Sequence, residues 1–168
     1  VNLSITNTTV RESEGYGLFL VASVEATAFA ANTFTKNALA PVNVDSDVAG
    51  LLDSASDYTG NDVDEIMVRS AYLTKNATWR SLGVPYHLSA NLSVEVPFTI
   101  DAPNTLIMGT EAWISASGDD AALHAVGTAT NPIVFTGEQK TRGYWDGLVF
   151  DGTNNADNQL DHVTVEYA

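Results

Sequence analysis

The sequence predicts an all-β chain, a right-handed parallel β-helix (a solenoid) with coils of about 24 residues and little helix, and three observations carry that expectation. First, short strand-like runs alternate with Gly, Asn, Asp or Pro, and no long window keeps apolar residues at helical spacing. Second, the N-terminal third lies over itself in a shifted register that places Ile5 on Phe29, Thr9 on Thr33, Val10 on Phe34, Leu18 on Val42 and Leu20 on Val44. The same shift again carries Val42 and Val44 onto Ile66 and Val68. A coiled chain needs this, because each inward side chain rests on its equivalent in the next turn. Third, a β-sandwich, the alternative, needs hairpins. Such turns are scarce: Asp146-Gly147 and Asp151-Gly152 are the two Asn-Gly or Asp-Gly dipeptides present, and a long polar loop follows the second.

Taken in order, the chain opens on a strand in which Val1, Leu3 and Ile5 alternate with polar residues. The asparagines of "NTT", "NTF" and "TGN" (Asn7, Asn32 and Asn61) suit corners where side-chain amides ladder from coil to coil and satisfy backbone groups. The best helical candidate is short, Val48 to Ala55. The C-terminal half is dense in strands such as "LSVEV", "TLIMG", "AWISA" and "GLVFDG". There Ile133, Leu148 and Val163 recur at one even spacing, as do Phe135, Phe150 and Val165, which predicts consecutive rungs of one apolar stack. Gly127 and Gly137 suit tight corners or close backbone approach, Pro132 suits a strand entrance, and Trp145 suits the cover of an edge or corner. The last strand, "LDHVTVEYA", alternates Val163, Val165 and Tyr167 with His162, Thr164 and Glu166. The expected organisation is one β-helix domain over residues 1–168, with coil groups 1–81 and 82–168 and both ends open. A first residue other than Met marks a processed form or an excerpt of a longer chain.

The blocks "AVGTATNPIVFTG", "GYWDGLVFDG" and "LDHVTVEYA", in this order, resemble repeats of large secreted bacterial and archaeal surface proteins of the parallel β-helix, pectate-lyase-like superfamily. The stretch Leu82 to Gly109 is similar to what commonly precedes those repeats, and "ITNTTVRESEGYGLFL" resembles coils that commonly follow them. The resemblance therefore covers most of the chain in permuted order. It implies the β-helix fold and a secreted or cell-surface setting, and it brings no catalytic residue with it.

Twenty-one acidic residues against seven Lys and Arg give a formal net charge of −14, a surface that repels nucleic-acid phosphates. No apolar run reaches the length of a membrane span, and no signal-peptide pattern is present. His87, His124 and His162 lack zinc-ligand spacing. Calcium is the better candidate cofactor, because loops rich in oxygen ligands are frequent, and the first candidates are Asp62, Asp64 and Glu65 in "NDVDE". Polysaccharide chemistry on this fold needs clustered carboxylates or bases, and neither Asp62 with Asp64 nor Asp146 with Asp151 stands out from ordinary solvated strand residues. Trp113, Tyr144 and Trp145 could form a sugar-stacking platform, although packed aromatics are the commoner use. Sequons at Asn2, Asn7, Asn76 and Asn91 are candidate glycosylation sites.

The leading expectation is a non-catalytic extracellular structural module, a subunit or segment of a surface fibre or adhesin. Its partners would be further copies stacked head to tail, or flanking coils of a longer chain, through Leu3 and Ile5 at one end and Val163, Val165 and Tyr167 at the other. The alternatives are a fragment of a polysaccharide lyase or hydrolase, or a module that binds surface glycans or calcium.

Overall fold

A computed structural model describes residues 2–69 and 72–168, so Val1 of the expected first strand lies outside the described residues. The chain winds through coils built from short strands. The first coil holds β1 (Asn2–Thr6), β2 (Thr9–Arg11) and β3 (Leu18–Leu20), and the second β4 (Glu25–Ala30), β5 (Thr33–Thr35) and β6 (Val42–Val44). The third carries the helix α1 (Ser46–Ala49) and then β7 (Ile66–Val68). The fourth holds β8 (Tyr72–Leu73), β9 (Ala77–Trp79) and β10 (Tyr86–Leu88), and the fifth β11 (Leu92–Val94), β12 (Pro97–Ile100) and β13 (Asn104–Met108). The sixth comprises β14 (Trp113–Ser117), β15 (Ala122–Val126) and β16 (Ile133–Gly137), and the seventh β17 (Gly147–Asp151), β18 (Gln159–Asp161) and β19 (Val163–Glu166).

Every strand pairing among the described residues is parallel, and paired strands are counterparts in neighbouring coils, which makes the fold a parallel β-helix. One sheet runs the whole length in the order β19-β16-β13-β10-β7-β6-β3. The other two faces are interrupted at α1, with β1-β4 and β2-β5 above it and the sheets β17-β14-β11-β8 and β18-β15-β12-β9 below.

Within the through-sheet the expected register holds in the first three coils, where Leu18 pairs with Val42 and Val42 with Ile66. From there the coil length changes. Ile66 pairs with Tyr86 and Tyr86 with Leu106, both shorter steps along the chain. Leu106 then pairs with Phe135 and Phe135 with Val165, both longer ones. The expected even stack is therefore two columns on different faces. Leu148 continues Ile114 and Phe150 continues Ala116 in another sheet, while Val163 sits on Ile133. The even spacing is half of the longer coil, because two strands of one coil carry the same apolar alternation. The helix also differs from expectation. It spans Ser46–Ala49, not Val48 to Ala55, because the chain turns at Gly50 and sends Leu52 into the core.

The core is a set of inward columns, and most of their members are fully buried, among them Val42, Ile66, Tyr86, Leu106 and Phe135. Phe34 stacks on Tyr58 with ring centroids 5.6 Å apart, and Trp79 stacks on Tyr86 at 4.9 Å while meeting Phe98 edge-on. Burial pushes the Tyr58 and Tyr86 hydroxyls up, so both stay neutral, and each donates to a backbone oxygen, Asp53 O and Arg80 O. α1 is locked to its neighbours. Arg80 Nη1 donates to Gly50 O and Leu52 O, Ser46 Oγ donates to Tyr72 O, and Asp47 accepts from the Thr74 amide and hydroxyl. Arg80 thereby satisfies carbonyls at a helix end that has no basic residue of its own.

Two corner ladders keep the same period as the first strands. The Thr8 amide donates to Asn32 Oδ1 and the Asn32 amide to Ser56 Oγ. The Ser13 amide donates to Asn37 Oδ1, and the Asn37 amide to Asn61 Oδ1. Asn32 and Asn61 are thus ladder residues as expected. Asn7 instead turns the chain with φ of 50°, and Asn37 supplies the rung beneath Asn61's amide side chain. Gly127 and Gly137 sit at close approaches, since a Cβ there would lie 2.9 Å from Asn131 O and 2.9 Å from Gln139 O respectively.

Candidate functional site

The terminal coils are where the apolar columns meet no further rung among the described residues. In the seventh coil Phe150, Leu160 and Val165 are exposed by 43%, 41% and 44%. Their register partners Ala116, Ala125 and Phe135 are fully buried. These three are inward positions of the last described coil. Leu148, Val163 and Tyr167 complete the face, half-buried against the coil above. Tyr167 turns the chain with φ of 64°, its carbonyl accepts from the Tyr144 amide, and the Lys140 ammonium sits 5.3 Å from its ring centroid. At the opposite end Leu3, Ile5, Val10 and Leu18 are half-buried in the first coil. The structure thus places Leu3, Ile5, Val163, Val165 and Tyr167 on two end faces, and adds Val10, Leu18, Leu148, Phe150 and Leu160 to them. Parity along each strand could have found the additions, since each is an inward position of a terminal strand.

A second grouping lies on the outer face of the through-sheet. His87 Nδ1 is 2.7 Å from Glu65 Oε2, its Nε2 is 4.0 Å from Glu138 Oε2, and the Tyr144 hydroxyl donates to Glu138 at 3.1 Å. Glu65, His87 and Glu138 border a cavity of about 330 Å³ whose apolar wall includes Leu39, Val63 and Met67. Beside it Lys140 Nζ donates to Thr136 Oγ1, which donates to Glu166 Oε1, each at 2.7 Å. Every polar group here is engaged with another of the cluster. Several coils contribute to it, at separations with no fixed period, so no sequence motif announces it.

Of the calcium candidates, Asp64 accepts from the amides of Gly60 and Asn61 and from the Asn61 side chain. Burial opposes ionisation, but those donors outweigh it and hold the Asp64 carboxyl below the usual carboxylate range. Glu65 faces His87, and Asp62 is exposed. The structure does not bring the three together, and no group of three or more His, Asp or Glu able to hold a metal ion occurs among the described residues.

The three aromatic side chains considered as a sugar platform part company. Trp145 is 1% exposed, with Nε1 donating to Glu166 O, so it is a core residue rather than a corner cover. Tyr144 turns to Glu138, and Trp113 lines a shallow groove with Ser93, Glu95, Ser115 and Asp120. Among the sequons, Asn2, Asn7 and Asn76 are exposed, while Asn91 is half-buried and its Oδ1 accepts from the Trp113 amide. No helix among the described residues is long and apolar enough to cross a membrane.

A family model described as a pectate-lyase like beta helix domain matches residues 65–168. Comparison with curated proteins and comparison with solved structures each return no match.

Proposed function

The chain belongs to the pectate-lyase-like β-helix family, and from that premise we propose that it is a non-catalytic structural module of an extracellular fibre or adhesin, a length of solenoid that works by extending a stack of coils. The observation that carries this reading is the unbroken through-sheet, whose inward column runs Leu18, Val42, Ile66, Tyr86, Leu106, Phe135, Val165. Each rung rests on the one before it, which is how a solenoid extends. The acidic surface disfavours side-by-side association of the solenoid flanks.

The outer-face cluster fits the same reading, because Glu65 meets His87, Tyr144 donates to Glu138, and His87 and Glu138 of separate coils come within 4.0 Å across the solenoid wall. The test is a panel of neutral and acidic polysaccharides assayed with and without calcium. No turnover is expected from the wild type. Turnover that disappears in His87→Ala or Glu138→Gln would replace this reading with an enzymatic one.

A further inference from the structure

We propose that the cavity bordered by Glu65, His87 and Glu138 on the outer face of the through-sheet binds a small organic ammonium, a ligand with an amine head and an apolar body. This goes beyond the structural reading above and does not depend on it. The apolar wall comes from the regular coils. The Leu39 amide donates to Gly15 O and the Val63 amide to Leu39 O, so this corner is held rung by rung beside the Ser13, Asn37 and Asn61 ladder. Leu39 and Val63 are exposed by 43% and 39%, and with Met67 they line a cavity of about 330 Å³. That size lies at the small end of the roughly 300–1,000 Å³ of small-molecule sites. Backbone fixed in this way leaves little ordering cost to a ligand.

The opposite side of the cavity carries charge. Glu65 Oε2 is 2.7 Å from His87 Nδ1, and Glu138 Oε2 is 4.0 Å from His87 Nε2 and accepts from the Tyr144 hydroxyl. These contacts use Oε2 of each carboxylate and leave Oε1 for a ligand. Among the described residues, His87 is the one group that forms an ion pair with either Glu. Two carboxylates therefore face one imidazole, and the site keeps a net negative charge whether His87 is neutral or protonated. A further acceptor lies on the same face. Asn43 is abreast of Met67, which is abreast of His87, and strand alternation sends its side chain outward between the inward Val42 and Val44. Asn43 is 6% exposed, and its Oδ1 is the one buried side-chain oxygen without a partner among the described residues. Acceptors thus exceed donors on this face, and an ammonium supplies three donors and no acceptor. Its bonds to carboxylates are charge-assisted, and an apolar wall that excludes water strengthens them. A bare metal ion fits less well, because no metal-holding group of His, Asp and Glu occurs among the described residues and the wall offers no ligand oxygen. Anions are repelled.

Isothermal titration calorimetry of the full chain with 2-phenylethylamine, at low salt and neutral pH, tests this beside 2-phenylethanol, an uncharged ligand of the same shape. The amine binds with a dissociation constant of about 1 mM or tighter, and the alcohol at least about tenfold more weakly. Glu65→Gln and Glu138→Gln each weaken the amine about tenfold and leave the alcohol unchanged, whereas Val63→Ser weakens both ligands. Glu95→Gln, in the groove beside Trp113, changes neither. Added sodium chloride weakens the amine alone, and equimolar calcium does not displace it. Circular dichroism of each variant separates lost binding from lost folding. An amine that fails to bind, binds no better than the alcohol, keeps its affinity in both Glu variants or yields to equimolar calcium would overturn the proposal. That failure would leave the structural reading intact, whereas polysaccharide turnover would remove the structural reading without changing the affinity for the amine.

Discussion

The first three coils and the last four solve the same packing problem in different ways. Above α1 the coil length is constant, and equal length lets polar corners as well as apolar faces fall into line. Ser13, Asn37 and Asn61 ladder at one corner, and Val10, Phe34 and Tyr58 share one inward position. Below α1 the coils first shorten, from Ile66 to Tyr86 to Leu106, and then lengthen, to Phe135 and to Val165. Corners there cannot repeat, so the loop between β17 and β18 makes private hydrogen bonds, with Thr153 Oγ1 on Ala121 O and Asn158 Oδ1 on the Leu123 amide. What survives the change of length is the inward register of the strands. A β-helix is thus specified by its inward columns, and constant coil length is an added order that permits ladders.

The sharpest way to break the comparison is at the joint. Trp79 packs between Tyr86 and Phe98 beside the Arg80 clasp on α1, and Trp79→Ala should cost about 3–5 kcal/mol. Urea unfolding followed by hydrogen exchange would then show the two coil groups losing protection at different concentrations. A smaller loss is expected in the regular half. Asn37→Ala strands the Ser13 amide and removes one of the two donors to Asn61 Oδ1, at about 1–3 kcal/mol, with faster exchange of the Ser13, Lys36 and Ala38 amides. Loop insertion probes the same contrast. Two residues after Asn154 should cost under about 1 kcal/mol, while two after Lys36 shift a ladder and cost more.

Asn43 lies on the through-sheet, buried, with Oδ1 lacking a partner among the described residues. Asn43→Leu should therefore leave thermal stability unchanged or raise it slightly, since it removes an unpaired buried carbonyl and adds apolar contact. The smallest effect concerns pH. Asp64 has a folded pKa below its unfolded value, so its contribution is present above the unfolded value and is lost as pH falls through the folded one. Asp64→Asn should flatten that acid limb in a plot of unfolding midpoint against pH and leave the neutral region little changed.

These differences explain what was legible in the sequence. Sliding the chain by one coil found the strand register because Ile5, Val10, Leu18 and Leu20 each meet an apolar partner at that interval. The same shift applied to polar residues would have found Asn37, which stands one coil from both Ser13 and Asn61. In the C-terminal coils the period-2 pattern says that a residue points inward but not into which sheet, so Leu148 and Ile133 read as one stack. The helix was misplaced because Leu51 and Leu52 supply apolar character past the turn at Gly50. Glu65, His87 and Glu138 were beyond reach, since their meeting depends on coil lengths that no motif encodes.

The central claim is that the inward columns, and not a constant coil length, specify this solenoid. Thermal unfolding of Leu106→Ala beside Thr105→Ala tests it most directly, since Leu106 is buried in the column and Thr105 is its outward neighbour. The account predicts a loss of about 2–5 kcal/mol for Leu106→Ala and under about 1 kcal/mol for Thr105→Ala. Equal losses at the two positions would contradict it.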